Sequence, residues 1–210
     1  MGKQVMYDAA IAVLRLLVNE CTIFPTFTKT KLIFGVRHSL MAKKILLTSF
    51  TTWLPHHTTN SSDDLLEKIS QLNYTFVVLN FLRQLPVNIR LASNIVMKKA
   101  WVLEPNLIIC CGMAERRQHL TIESNATCNG RILQTNIDLE KLVQENERVK
   151  ISYDAGKFVC EGLYYSVLEW IVRHQLSTSC IFIHVPILTE QNFDLVVNDF
   201  EFILQKLGNY

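Results

Sequence analysis

The chain has 210 residues, with 21 Lys and Arg against 19 Asp and Glu, 49% apolar residues and only 7 Gly and 5 Pro. These proportions describe one globular domain whose core can form without disulfides or a structural metal. A formal net charge of +2 leaves no basic footprint for nucleic acid, and no apolar run reaches the roughly 18 to 20 residues that span a bilayer.

Residues 1–40 hold Lys3, Arg15, Lys29, Lys31 and Arg37 against Asp8 and Glu20, a net +3, which leaves −1 for the remainder. Within them Tyr7 to Val18 is apolar and helix-like, and the stretch after it has no clear periodicity. Residues 1–43 are therefore expected as an N-terminal extension, poorly ordered or non-native, before a single α/β domain over 44–210. The rival reading is an amphipathic helix at a membrane surface or an oligomer contact.

From Lys44 the pattern changes. Ile45 to Phe50 reads as a buried parallel strand, and Ser61 or Ser62 as the cap of a helix with Asp63 and Asp64 in its first turn. Phe76 to Leu85 reads as strand, Ile89 to Leu103 as a helix stopped near Pro105, and Leu107 to Gly112 as another buried strand. A short strand at Leu120 to Ile122, a helix at Leu139 to Glu147 and a strand at Val149 to Tyr153 follow. A long helix from Lys157 to His174, a buried strand from Cys180 to Val185 and a helix from Asn192 to Leu207 close the chain. This alternation predicts a three-layer α/β/α sandwich on a mostly parallel twisted sheet.

In such sheets reactive groups collect at strand ends and in the loops beyond them. Cys160 is expected in the first helical turn after a strand, where the free backbone N–H groups and the dipole favour a thiolate and an oxyanion. His184 closes the last strand and suits the base that a cysteine nucleophile needs. Glu123 ends another strand and suits the group that orients the imidazole. The structural alternative is a packed cysteine, a hydrogen-bonded strand-end histidine and a surface glutamate.

Three segments join these residues: Ser152-Tyr153-Asp154-Ala155-Gly156-Lys157-Phe158-Val159-Cys160, Phe182-Ile183-His184-Val185-Pro186, and Gly112-Met113-Ala114 leading to Ile122-Glu123. Together they resemble pyroglutamyl peptidase I, the pyrrolidone-carboxylate peptidase or peptidase C15 family. The intervals of 24 residues from Cys160 to His184 and 11 from Gly112 to Glu123 suit its pattern. The strand ending in Ser49 and Phe50, followed by Trp53, is similar to the family's segment whose aromatic side chains flank the lactam.

The resemblance implies a cytoplasmic thiol peptidase that removes N-terminal pyroglutamate from peptides through Cys160, His184 and Glu123 and a thioester. Phe50 and Trp53 would bind the substrate. It implies no cofactor, no metal, a peptide partner with a blocked N-terminus, and leaves a homo-oligomer open.

The chain departs from the pattern at Ser49, where the family has Gly, at Thr52-Trp53-Leu54, at Arg116-Arg117, where it has Gly-Arg, at Ser124 and at Glu161, where it has Asn. Glu161 is expected to face solvent. Only 36 residues separate Glu123 from Cys160, so the family's substrate-covering loop is shortened to about Asn125 to Thr135. A second reading therefore stands beside the first: an inactive or re-specialised member that binds peptide ends or a protein partner.

The remaining candidates read as structural. His56-His57 lacks further ligands at metal-binding spacing and is expected as a solvated loop. Cys110 and Cys111 face opposite sides of a strand. Arg116-Arg117 and Lys98-Lys99 are expected as solvated faces, and Phe158 as core. The six cysteines contain no Cys-x-x-Cys pair, which suits a reducing compartment.

Overall fold

The structure, a computed structural model, describes residues 42–209. The expected extension and the apolar stretch from Tyr7 to Val18 lie outside the described residues. In chain order the elements are β1 (Lys43–Phe50), α1 (Ser61–Ser70), β2 (Val77–Leu85), α2 (Ile89–Leu103), β3 (Leu107–Met113) and β4 (Thr121–Glu123). They continue with β5 (Asn125–Cys128), β6 (Arg131–Gln134), α3 (Leu139–Val143), β7 (Lys150–Ser152), α4 (Val159–Arg173), β8 (Ser179–Val185) and α5 (Phe193–Gly208).

Six strands form one sheet in the order β2-β1-β3-β8-β4-β7. The first four are mutually parallel, whereas β4 is antiparallel to β8 and parallel to β7. The central strands β1, β3 and β8 are apolar on both faces because helices cover both. Ile45, Leu47, Ile109, Ile181 and Ile183 pack with α1 and α5 on one side. Leu46, Ile108, Cys110, Cys180 and Phe182 pack with α2 and α4 on the other. The three-layer sandwich is thus the one that the alternating pattern predicts.

Local chemistry sets the helix starts. Asn60, rather than Ser61 or Ser62, caps α1, its Oδ1 accepting from Ser62 N at 3.0 Å and from Ser62 Oγ at 2.7 Å. The serines lie inside the helix because Asn60 has the extended backbone that a cap needs. Asn88 caps α2 in the same way, through Leu91 N at 3.0 Å.

The region that reads as a remnant of a covering loop is the hairpin β5-β6. Its tip, Asn129-Gly130, has φ of 49° and 77°, the two positive values that a tight hairpin turn demands. The hairpin lies against α4, and two ion pairs or hydrogen bonds hold it there: Glu161 Oε1 accepts from Thr127 N at 3.1 Å, and Arg131 approaches Glu169 at 3.4 Å.

Candidate active site

Gly112, near the end of β3, pairs in register with His184 on β8. Paired residues in neighbouring strands project to the same face of a sheet. On that face a Cβ at Gly112 would lie 2.7 Å from Cys160 Sγ and 2.8 Å from Phe182 Cζ. The thiol therefore occupies the place of the missing Gly112 side chain, on the face to which Gly112's strand partner His184 also projects. The hydrogen bond that holds the His184 ring is to Glu123, and none joins it to Cys160.

Glu123 reaches the same imidazole from the other side of β8. Because β4 is antiparallel to β8, Glu123 pairs with Phe182 and Thr121 with His184, which makes Glu123 and His184 a diagonal pair within reach of a long side chain. Glu123 is fully buried, and its Oε1 lies 2.7 Å from His184 Nδ1. Nδ1 donates this bond, leaving Nε2 as the basic nitrogen.

Arg117 completes the arrangement. Its Nη1 donates to Glu123 Oε1 at 2.6 Å and also to Thr121 Oγ1, and its Nη2 donates to the Asp154 carbonyl at 2.8 Å. A buried carboxylate needs such a partner to stay ionised. The sequence reading placed Arg117 on a solvated face. The structure instead folds it inward, joining the Glu123 strand to the loop that precedes Cys160. The signal was present in its position six residues before Glu123, but one of two adjacent arginines in a polar run carries no direction. Tyr164, one turn after Cys160, adds a second tie by donating to the Glu123 carbonyl at 3.0 Å.

Cys160 is the second residue of α4. The cap position, Phe158, supplies no side-chain hydrogen bond, so first-turn N–H groups remain for a ligand anion. Even so, burial, followed by the charge of Glu123, pushes the Cys160 thiol up to about 12, opposite to the thiolate that helix position alone predicts. Burial also holds His184 below its ordinary value, although Glu123 opposes the shift. Burial thus favours the neutral form of both the Cys160 thiol and the His184 imidazole.

The aromatic expectations divide. Trp53 is 37% exposed and stacks on Phe158, with ring centroids 4.8 Å apart, next to the start of α4. Phe158 is half-buried and packs against the core layer that holds α2 and α4, as expected, while its ring also meets Trp53. Phe50 is only 2% exposed and packs in the layer that holds α2 and α4, so it does not face solvent. Glu161, expected in solvent, is half-buried against Thr127 N. Burial raises its carboxyl. Ser49, which stands where glycine was expected, places its hydroxyl 2.5 Å from Asp63 Oδ1. Asp63 also receives Arg83 and Gln84, so the extra hydroxyl is satisfied.

The family model for pyroglutamyl peptidase matches residues 132–199, which include Cys160 and His184. The pyrrolidone-carboxylate peptidase of Bacillus licheniformis is 27% identical over 180 residues, covering 73% of this chain and 83% of that protein. Over these stretches the chain is similar to pyroglutamyl peptidases. The pyrrolidone-carboxylate peptidase of Bacillus velezensis is 29% identical over 114 residues, and there the match spans about half the relative, 53%. The crystal structure of pyroglutamyl peptidase I from Bacillus amyloliquefaciens superposes with a TM-score of 0.71 at 22% identity, covering 81% of this chain and 97% of that one. Pyrrolidone carboxyl peptidase from Thermococcus litoralis gives 0.68 at 16%, covering 78% and 92%. These two likenesses establish the shared fold. Among the described residues no helix is long and apolar enough to cross a membrane.

Proposed function

We propose that the chain is a cysteine peptidase that removes N-terminal pyroglutamate from peptides, with Cys160 as nucleophile, His184 as acid and base, and Glu123 as the group that holds the imidazole. The observation that carries this reading is the Glu123–His184 hydrogen bond of 2.7 Å on the face where Cys160 Sγ fills the space over Gly112.

In the first step the Cys160 proton passes to His184 Nε2 as sulfur attacks the pyroglutamyl carbonyl. Proton transfer accompanies attack, since burial favours the neutral thiol. Negative charge on the carbonyl oxygen faces the uncapped N–H groups of α4. Charge on the imidazolium faces Glu123, which Arg117 also holds in an ion pair. The imidazolium then gives its proton to the leaving amine, and a thioester remains. Water attacks the thioester, losing a proton to His184 Nε2, and the thiol is regenerated with release of pyroglutamate.

Trp53 and Phe158 offer a flat apolar wall for the lactam, which carries no charge. A reducing compartment such as the cytoplasm keeps Cys160 free for this chemistry. The raised thiol pKa favours the second reading, a member that binds peptide ends without turnover. Release of a fluorophore from a pyroglutamyl amide separates them: turnover lost in both Cys160→Ala and His184→Ala supports the peptidase, and binding without turnover supports the second reading.

A further inference from the structure

The loops that leave β1 and β3 start at adjacent strands of the sheet, since β1 and β3 pair in parallel. This brings His56 and His57 from the first loop to Glu115 from the second. His57 N donates to the Leu54 carbonyl at 3.0 Å, and that turn folds the two histidine rings together, with centroids 4.3 Å apart. Neighbouring residues of a regular element would have pointed apart. One ligand atom from each of His56, His57 and Glu115 lies within 4.8 Å of the others.

Two features point to a ligand here. The His57 side chain is only 9% exposed, although it sits on a polar loop, and its Nδ1 is buried without a hydrogen-bond partner. Its Nε2 lies 2.6 Å from Glu115 Oε1, so one ring nitrogen is paired with the carboxylate and the other is orphaned. Two imidazoles and one carboxylate are the donor set of three-ligand zinc sites, which leave a fourth position open. The geometry points to a divalent transition-metal site, best suited to Zn2+, formed by His56, His57 and Glu115.

A cation there joins the loop carrying Trp53 to the segment running from Gly112 through Glu115 to Arg117. It thus pins two walls of the site without touching Cys160. The inference does not rest on peptide hydrolysis, because its readout is metal binding.

The test is calorimetric titration of Zn2+ alone into the full chain carrying Cys160→Ala, which removes the nucleophilic thiol as a competing ligand. One saturable equivalent is expected. Outer-shell partners alone are worth roughly 10- to 100-fold in metal affinity, so His57→Ala and Glu115→Gln should each weaken binding by at least about tenfold. His56→Ala, which removes an exposed ring and leaves the loop turn intact, should do the same while melting at the parent's temperature. Absence of saturable binding overturns the inference, and so does an affinity unchanged in all three variants.

Discussion

A single methyl group at Gly112 tests whether the thiol position is set by the packing described. In Gly112→Ala the new Cβ would lie 2.7 Å from Cys160 Sγ and 2.8 Å from Phe182 Cζ, whereas ordinary contact begins at 3.4 Å. Each atom must retreat by at least about 0.6 Å, and Phe182 is fully buried among neighbours that leave it no room. Most of the movement falls on Cys160, at the less constrained start of α4. Overpacking of this kind costs about 1–3 kcal/mol, which lowers Tm by roughly 2 to 12 °C for a chain of this size. A displacement of about 1 Å at a reacting atom costs on the order of 100-fold in rate. Hydrolysis of a pyroglutamyl amide should therefore show kcat/KM down about 100-fold, mostly in kcat, with a modest loss in thermal stability. Activity within twofold of wild type at unchanged Tm would refute the placement of Sγ over Gly112.

Other predictions follow from the same geometry. Because burial lowers His184 and raises Cys160, kcat/KM should rise as pH increases through a value below about 6.5, as the imidazole loses its proton. It should then stay level to at least about pH 9 because the thiol remains protonated, whereas a descending limb near neutrality would indicate a preformed ion pair. Arg117→Met strips Glu123 of its guanidinium partner and should cost about 3 kcal/mol in chemical denaturation. Arg117→Lys should rescue it only in part, since a lysine cannot fork to Glu123, Thr121 and the Asp154 carbonyl together. Glu161→Ala should loosen the hairpin at Thr127, read as faster proteolysis near Asn129-Gly130, with less than about 1.5 kcal/mol lost overall.

The framework was legible because buried strands are short apolar runs. Ile45 to Phe50, Leu107 to Gly112 and Cys180 to Val185 were read within two residues of β1, β3 and β8, and α2 was read at its observed ends. Cys160, His184 and Glu123 were legible as candidates through position at element ends and through the spacing of the resembled family. What stayed hidden depends on direction. Nothing in the sequence says that β4 runs against β8, which is what makes Glu123 and His184 a diagonal pair. Arg117 looks like any surface arginine until Glu123 and the Asp154 carbonyl are placed around it. The hairpin was missed although Asn129-Gly130 carries its turn signal, because its strands are four residues each and only one side meets the core. His56-His57 lacked a third ligand in sequence because Glu115 lies on a separate loop that only the β1–β3 pairing brings near.

The central claim is that Cys160 is acylated by the pyroglutamyl group and that His184 drives both halves of the cycle. Rapid acid quenching during turnover of a pyroglutamyl amide, followed by mass analysis of the Cys160 peptide, tests it most directly. The account predicts one pyroglutamyl acyl group on Cys160 in the wild type, none in Cys160→Ala, and slow acylation in His184→Ala. Turnover that persists in Cys160→Ala, or proceeds with no acyl group ever found on Cys160, would contradict it.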